Sequence, residues 1–277
     1  MINEFSDTVR HKGKELYRQM PWRADTRPYY VLVSELMLQQ TQVSRVIPKF
    51  AKFIAAFPNE QALANASLAE VLKQWQGLGY NRRAKYLHEA ARHIVERTEF
   101  PQSVEGLLEL PGVGKNTAGA IQAYSFNQPA VFVETNIRTV YIHHFFADNP
   151  AVEDKDIIEK LVASSPWADA NGQPVTQIDP TYGPREFYWA LMDYGSWLKT
   201  NGVKNISQSK MYTRQPPLKG SIREVRGMIL RELSGKDFDY KTLREQVAVD
   251  DRFEKALSSL ISEKLVSVSN KIIHLTK

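Results

Sequence analysis

The stretch with the most chemistry in it is Leu110 to Arg138, LPGVGKNTAGAIQAYSFNQPAVFVETNIR. Gly112 and Gly114 stand one residue apart, so the backbone between them can turn sharply and approach a ligand closely. A helix is expected straight after, over Asn116 to Tyr124. Its first N–H groups would point out of the turn, and such a terminus binds anions. Lys115 adds a positive charge there. Gly112, Val113, Gly114 and Lys115 together suit one phosphate. The alternative is an ordinary turn between two helices. The stretch closes on an acid, Glu134. A second acid, Glu35, lies in an apolar run from Tyr30 to Leu38, beside Leu32, Leu36 and Leu38. Such surroundings disfavour a charged carboxylate and raise its pKa. The alternative for Glu35 is a salt bridge to Arg23 or Arg45. The alternative for Glu134 is a helix-start residue, since acids stabilise a helix N-terminus. His143 and His144 are adjacent and face different ways on a helix, so they make no shared metal site.

The elements that must hold these residues read as helical almost throughout. Helices are expected at 5–17, 30–38, 46–57, 82–96, 137–146, 156–163 and 185–199, with a helical repeat of apolar residues over 63–75. Gly77-Leu78-Gly79-Tyr80 breaks the chain before the helix at Arg82. Residues 200–220 are irregular, and Pro216-Pro217 with Gly220 marks a boundary. Beyond it, helices at 221–233, 241–247 and 251–264 precede two apolar runs, Leu265–Val268 and Lys271–Leu275. Ser269-Asn270 between those runs is a hairpin signal. Three helices and a hairpin predict a small winged-helix-like domain, with a protein-interaction module as the alternative.

Composition sets outer bounds. The chain of 277 residues has 43% hydrophobic residues, enough for a packed core, and a net charge of +5 with a pI near 9.2, compatible with a nucleic-acid partner. Cysteine is absent, which excludes disulfides and thiolate-ligated metal sites. The charged N-terminus lacks the apolar core of a signal peptide, and no run is long enough to span a membrane. A cytoplasmic protein is expected, nucleoid-associated if bacterial.

Taken together, LPGVG before a helix, Ser34-Glu35-Leu36-Met37-Leu38-Gln39-Gln40-Thr41, and Gly77-Leu78-Gly79-Tyr80 resemble the helix-hairpin-helix DNA glycosylases. The resemblance is greatest to the adenine DNA glycosylases, runs from about Pro21 to about Lys199 and follows the family's motif order. It implies a mostly α, two-domain helix-hairpin-helix glycosylase fold. Residues 1–21 and 139–215 would form one helical domain, 22–138 a six-helix domain carrying the hairpin, and 216–277 the winged-helix-like domain. That last domain stands where the family has a Nudix-like one.

The resemblance also assigns roles. Glu35 matches the acid that protonates the leaving base. Glu134 falls where the family has Asp and would face the sugar as positive charge develops, as in glycoside hydrolysis. Gln39 and Gln40 match residues that enter the duplex, and Tyr80, a DNA contact with them, matches the first Tyr of the family's GLGYY, whose second is Asn81 here. Gly112, Val113, Gly114, Lys115 and Thr117 would hold the DNA backbone. Trp22, Arg23, Asn116 and Trp189 would line the base pocket. Asn116 stands where endonuclease III has its Schiff-base Lys, so no lyase step is expected. The family's four cluster cysteines correspond to Lys199, Ile206, Ser209 and Gln215, so no cofactor and no metal are expected. The implied partner is double-stranded DNA carrying a mispaired or damaged base, bound by a monomer. Adenine opposite 8-oxoguanine or guanine is the leading substrate. Trp189 replaces a polar residue that pairs with adenine in the family, so thymine or uracil opposite guanine is an alternative. A non-catalytic DNA-binding protein on this scaffold is another.

Overall fold

The computed structural model describes residues 2–248 and 250–276. Its helices are α1 (Ile2–Glu15), α2 (Pro21–Ala24), α3 (Pro28–Leu38), α4 (Val43–Ala56), α5 (Glu60–Asn65), α6 (Leu68–Trp75), α7 (Arg82–Glu96), α8 (Val104–Leu108), α9 (Lys115–Tyr124), α10 (Thr135–Phe145), α11 (Asp154–Ser164) and α12 (Pro184–Thr200). Then follow α13 (Ile222–Leu233), β1 (Phe238–Asp239), α14 (Tyr240–Val247), α15 (Asp251–Ser262), β2 (Val266–Ser269) and β3 (Ile272–Leu275). No helix among the described residues is long and apolar enough to cross a membrane.

Packing groups these elements into two units. The first takes the chain up to Val31, Gln102–Leu108 and Val113–Arg214. Its organising helix is α12, against which α1, α9 and α10 pack. The approaches are close enough to require glycine. A Cβ on Gly13 of α1 would lie 2.5 Å from that of Ala190, and one on Gly195 would meet the Asn136 carbonyl oxygen at 2.2 Å. Asn136 Nδ2 in turn donates to the Met192 carbonyl at 2.9 Å, fastening the start of α10 to α12. Tyr188 braces the extended segment before α10. Its ring stacks on Phe132 with centroids 4.0 Å apart, its hydroxyl donates to the Ala130 carbonyl at 2.7 Å, and it accepts from the Phe132 amide at 3.3 Å.

The second unit takes Leu32–Pro101, Glu109–Gly112 and the chain from Gln215 on. Its helical core buries Phe50, Phe53, Leu63, Trp75 and Leu87. The apolar repeat over 63–75 predicts one stretch, but the chain forms α5 and α6 separately. Ser67 is the reason: its hydroxyl accepts from the Glu70 amide while the Glu70 carboxylate accepts from the Ser67 amide, a capping box that starts a new helix. The module after Gln215 runs helix, strand, helix, helix, strand, strand, with an antiparallel sheet in the order β1-β3-β2. This is a winged-helix arrangement. The two-residue β1 carries no sequence signal of its own. The hairpin turn is Asn270-Lys271, one residue beyond the predicted pair. Both residues have positive φ, 50° and 63°, as a type I′ turn requires.

The units depart from the sequence-based boundaries at 21/22 and 138/139. Residues 113–138 pack with the first unit because α9 and α10 both lie on α12, and residues 22–31 join it, with Arg23 bound to Asp193 of α12. Residues from 215 on pack with the second unit. There Glu263, just past α15, accepts from Arg82 of α7 at 2.7 Å and from Arg226 of α13 at 2.7 Å, while Lys85 donates to its carbonyl at 2.9 Å.

Candidate active site and nucleic-acid interface

In the first unit, α9 begins directly after Gly114, whose φ of −94° and ψ of 179° are extended and which supplies no side-chain cap. The leading N–H groups of α9 are therefore not capped by a side chain, and Gly114, Lys115 and Asn116 are exposed there. Such a terminus favours negative charge. Thr117 and Val113 are buried and anchor the turn. Gly114 is not demanded by packing, since a Cβ there would meet no protein atom within 4 Å. Gly112, in the second unit, is demanded: its φ is +80° and a Cβ would lie 2.7 Å from that of Tyr86.

Asn116 Nδ2 donates to the Val133 carbonyl at 3.0 Å, tying the first turn of α9 to the residue before Glu134. Glu134 occupies the N-cap position of α10 but makes no side-chain cap bond. Glu134 thus stands at a helix start, as the alternative reading has it, but without the side-chain hydrogen bond of a cap. Burial pushes the Glu134 carboxyl above its ordinary range, and Arg138 acts in the opposite sense. Arg138 is itself engaged by Asp154 through two hydrogen bonds of 2.7 and 2.6 Å, so its charge is shared.

Trp22, Arg23 and Trp189 also lie in the first unit. Arg23 is buried and donates to Asp193 at 2.6 and 3.0 Å, with Arg18 as a second partner for the same carboxylate. Asp193 is thus the carboxylate partner of Arg23. Its guanidinium carbon lies 5.2 Å from the Trp189 ring centre and 5.3 Å from that of Tyr17. Trp189 is half-buried and stacks toward Tyr124 at 6.3 Å. The indole is thus already enclosed by a cation and two aromatic rings.

The loop where the sequence resemblance places cluster ligands is closed by other means. Backbone bonds join Val152 to Gln208 at 2.8 Å and Lys210 to Val152 at 3.0 Å. Asn205 donates to the Thr139 carbonyl at 3.0 Å, Gln208 to those of Ala147 and Asn149 at 2.9 Å, and Lys210 to Glu153 at 2.6 Å. Lys199, Ile206, Ser209 and Gln215 offer no thiolate, so an iron–sulfur cluster does not fit here. Among the described residues no group of three His, Asp or Glu is placed to hold a metal ion.

In the second unit Glu35 sits on α3, half-buried between the fully buried Leu32 and Leu36. The helix ends at a polar tip, Gln39-Gln40, with Gln40 in the left-handed region at φ 56°. Arg83, which the sequence reading passed over, gathers this tip. It donates to the carbonyls of Leu36 at 2.6 Å, Met37 at 3.0 Å and Gln39 at 2.6 Å, and to those of Leu78 at 3.2 Å and Gly79 at 3.0 Å. One guanidinium thus joins the SELMLQQT and GLGY segments. Burial lowers its pKa to about 10. The readable signal was its position: Arg83 lies four residues before Leu87, on the buried stripe of α7.

Tyr80 follows at φ 47°, exposed. Its hydroxyl accepts from Gln215 and Arg223, and the Arg223 guanidinium lies 5.3 Å from its ring centre. Gln215 also donates to Gln40 at 3.1 Å. Two cations of the C-terminal module are engaged internally: Arg226 by Glu263, and Arg252 by Asp250 with Glu224 nearby.

Comparison with known proteins agrees with this layout. The family model for HhH-GPD superfamily base excision DNA repair proteins matches residues 33–165. An adenine DNA glycosylase of Buchnera aphidicola subsp. Baizongia pistaciae is 36% identical over 197 residues, covering 70% of this chain and 52% of that protein. An adenine DNA glycosylase of Mycolicibacterium smegmatis is 34% identical over 277 residues, covering 90% of this chain and 88% of that protein. Among solved structures, a thermostable thymine-DNA glycosylase matches with a TM-score of 0.58 at 24% identity, over 70% of this chain and 86% of the other, a likeness of fold. The chain spans about half the length of the Buchnera relative.

Proposed function

The chain belongs to the HhH-GPD superfamily of base excision DNA repair proteins, in the family of the adenine DNA glycosylases, and on that premise we propose that it removes adenine from a mispair with 8-oxoguanine or guanine. A base within a duplex stack is out of reach of an enzyme's side chains, so the nucleotide is flipped into a pocket. The uncapped start of α9 and Lys115 hold the DNA backbone and read no sequence. Glu35 gives its proton to the leaving base as the bond from the sugar C1′ to the base nitrogen breaks. The bonding pair leaves with the base. Glu134 faces the positive charge that develops on the sugar, and water adds to C1′ and gives up a proton to the Glu35 carboxylate, leaving an abasic site.

The observation that carries this reading is Glu134. It is a carboxyl whose charged form is disfavoured by burial and which makes no side-chain cap bond, the kind of setting in which reactive acids are found. A protein that only binds DNA has no use for it. Adenine is supported by the names of the relatives, and the enclosure of Trp189 by Arg23, Tyr17 and Tyr124 keeps the indole within the protein's own packing.

The reaction stops at base release. Asn116 holds the position where an amine nucleophile would be required, and its amide is engaged by Val133. Single-turnover assays on A:8-oxoguanine, A:G, T:G and U:G duplexes test the proposal, with alkaline cleavage of the product. Selective release of adenine supports it, and faster release of thymine or uracil overturns it. Borohydride should trap no covalent adduct in good yield.

A further inference from the structure

Within the second unit a groove of about 1190 Å³ lies along Gln40, Arg45, Tyr80, Leu218, Arg223 and Arg231. It exceeds the roughly 300–1,000 Å³ typical of small-molecule pockets, and it carries several guanidinium groups, which suits a nucleic-acid strand. Two of its walls come from distant parts of the sequence. One is the pair of loop tips at Gln40 and Tyr80. The other is the segment from Gln215 to Arg231.

The contacts across this groove are directed. Arg223 donates to the Tyr80 hydroxyl and to the Pro216 carbonyl, the latter at 2.7 Å, so the guanidinium is braced on its own segment while it reaches the ring. Gln215 donates to the same hydroxyl and to Gln40 at 3.1 Å. Two donors thus converge on the one phenolic oxygen. Tyr80 and Gln40 are the two positive-φ residues at the loop tips, and both are exposed; the Arg83 guanidinium also lies 5.6 Å from the Tyr80 ring centre. Arg82, Arg226 and Glu263, meanwhile, fix the C-terminal module to α7 and hold it in place.

We propose that Arg223, supported by Gln215, is a positioning residue for the strand opposite the excised base: it sets Tyr80 and Gln40 in the pose from which they enter the duplex. The winged-helix module thereby acts on the lesion-reading loops. Its effect on base excision rests on the glycosylase activity proposed above, whereas the setting of the wedge does not.

The test uses the full chain with Arg223→Ala, Arg223→Lys, Tyr80→Leu and the Tyr80→Leu/Arg223→Ala double variant, each checked for an unchanged thermal melt. A 2-aminopurine placed beside 8-oxoguanine on the opposite strand reports unstacking on binding, and single-turnover rates are taken on A:8-oxoguanine and A:G. Arg223→Ala should reduce the fluorescence rise and lower the ratio of the two rates by about five- to twentyfold. Arg223→Lys should recover part of both, and in the Tyr80→Leu background Arg223→Ala should add nothing. Wild-type fluorescence and rate ratio in Arg223→Ala, or full additivity with Tyr80→Leu, overturns the assignment, as does a wild-type protein that unstacks nothing. Unstacking by the wild type without release of any base overturns the glycosylase reading and leaves the positioning role standing.

Discussion

Arg83 donates to the carbonyl oxygen of Gln39 at 2.6 Å; the same nitrogen reaches the carbonyls of Leu36 and Met37, and its neighbour those of Leu78 and Gly79 on a separate segment. These carbonyls lie at the end of a helix and in a glycine turn, where no backbone donor completes them. Arg83→Lys should therefore be nearly as damaging as Arg83→Ala, because one ammonium cannot span both segments. We expect a loss of about 3–5 kcal/mol in urea unfolding for either variant. A loss below about 1 kcal/mol would show that the two segments are held by other means.

The two hairpin glycines should separate under substitution. Gly112→Ala forces a side chain onto Tyr86 from a positive φ, and the fold should weaken. Gly114→Ala meets no protein atom at an ordinary φ, so stability should shift by less than about 1 kcal/mol. Its methyl group would stand where a phosphate must approach, and DNA affinity should fall. Melts and duplex titrations of the two variants, made side by side, check this. Undiminished binding by Gly114→Ala removes the phosphate from that turn.

The two acids should respond differently. Glu35→Gln removes a proton donor and no phosphate contact, so base release should drop by roughly 10²–10⁴-fold with duplex binding nearly intact. Glu134→Gln should also slow release by orders of magnitude, yet stabilise the fold near pH 7. The sign follows from linkage. A carboxyl raised in the folded state favours folding while protonated, and that contribution is lost as pH rises through the folded pKa. The variant's gain in melting temperature should be present at neutral pH and vanish below the ordinary glutamate pKa of about 4.3. A less stable variant at pH 7 would return Glu134 to a structural role.

Glu263 shows the opposite linkage. Burial pushes its pKa up, but hydrogen bonds from Arg82 and Arg226 outweigh this and hold it at about 2. Its stabilising contribution is present above the ordinary glutamate range and is lost as pH falls toward 2. Glu263→Gln leaves two guanidinium groups without their carboxylate, and the loss should be about 2–4 kcal/mol. The C-terminal module should then melt before the rest of the chain, visible as a second transition in calorimetry.

Where a single segment carries its own signal, the sequence was readable. Helix α7 spans Arg82–Glu96 as its apolar spacing predicts, and the glycine hairpin was legible because Gly112 needs a conformation few other residues adopt. The break between α5 and α6 was also written locally, in the Ser67–Glu70 capping box, but the continuing apolar repeat masked it. The pairings of Arg83 with Gln39 and of Gln215 and Arg223 with Tyr80 were not legible, because those partners lie 44, 135 and 143 residues away in the chain. Spacing within one helix says nothing about such distances. Arg23 was legible as a residue near a family motif, yet its buried pairing with Asp193, 170 residues on, was not.

The loop around Ile206 has a further consequence. Its shape comes from amide, carbonyl and Lys210–Glu153 contacts supplied entirely by the polypeptide. With no cysteine in the chain, folding of the loop does not wait on assembly of a thiolate-held cluster. In a cell starved of iron, or under the peroxide burst that creates oxidised guanine in the first place, the segment has no such cluster to lose.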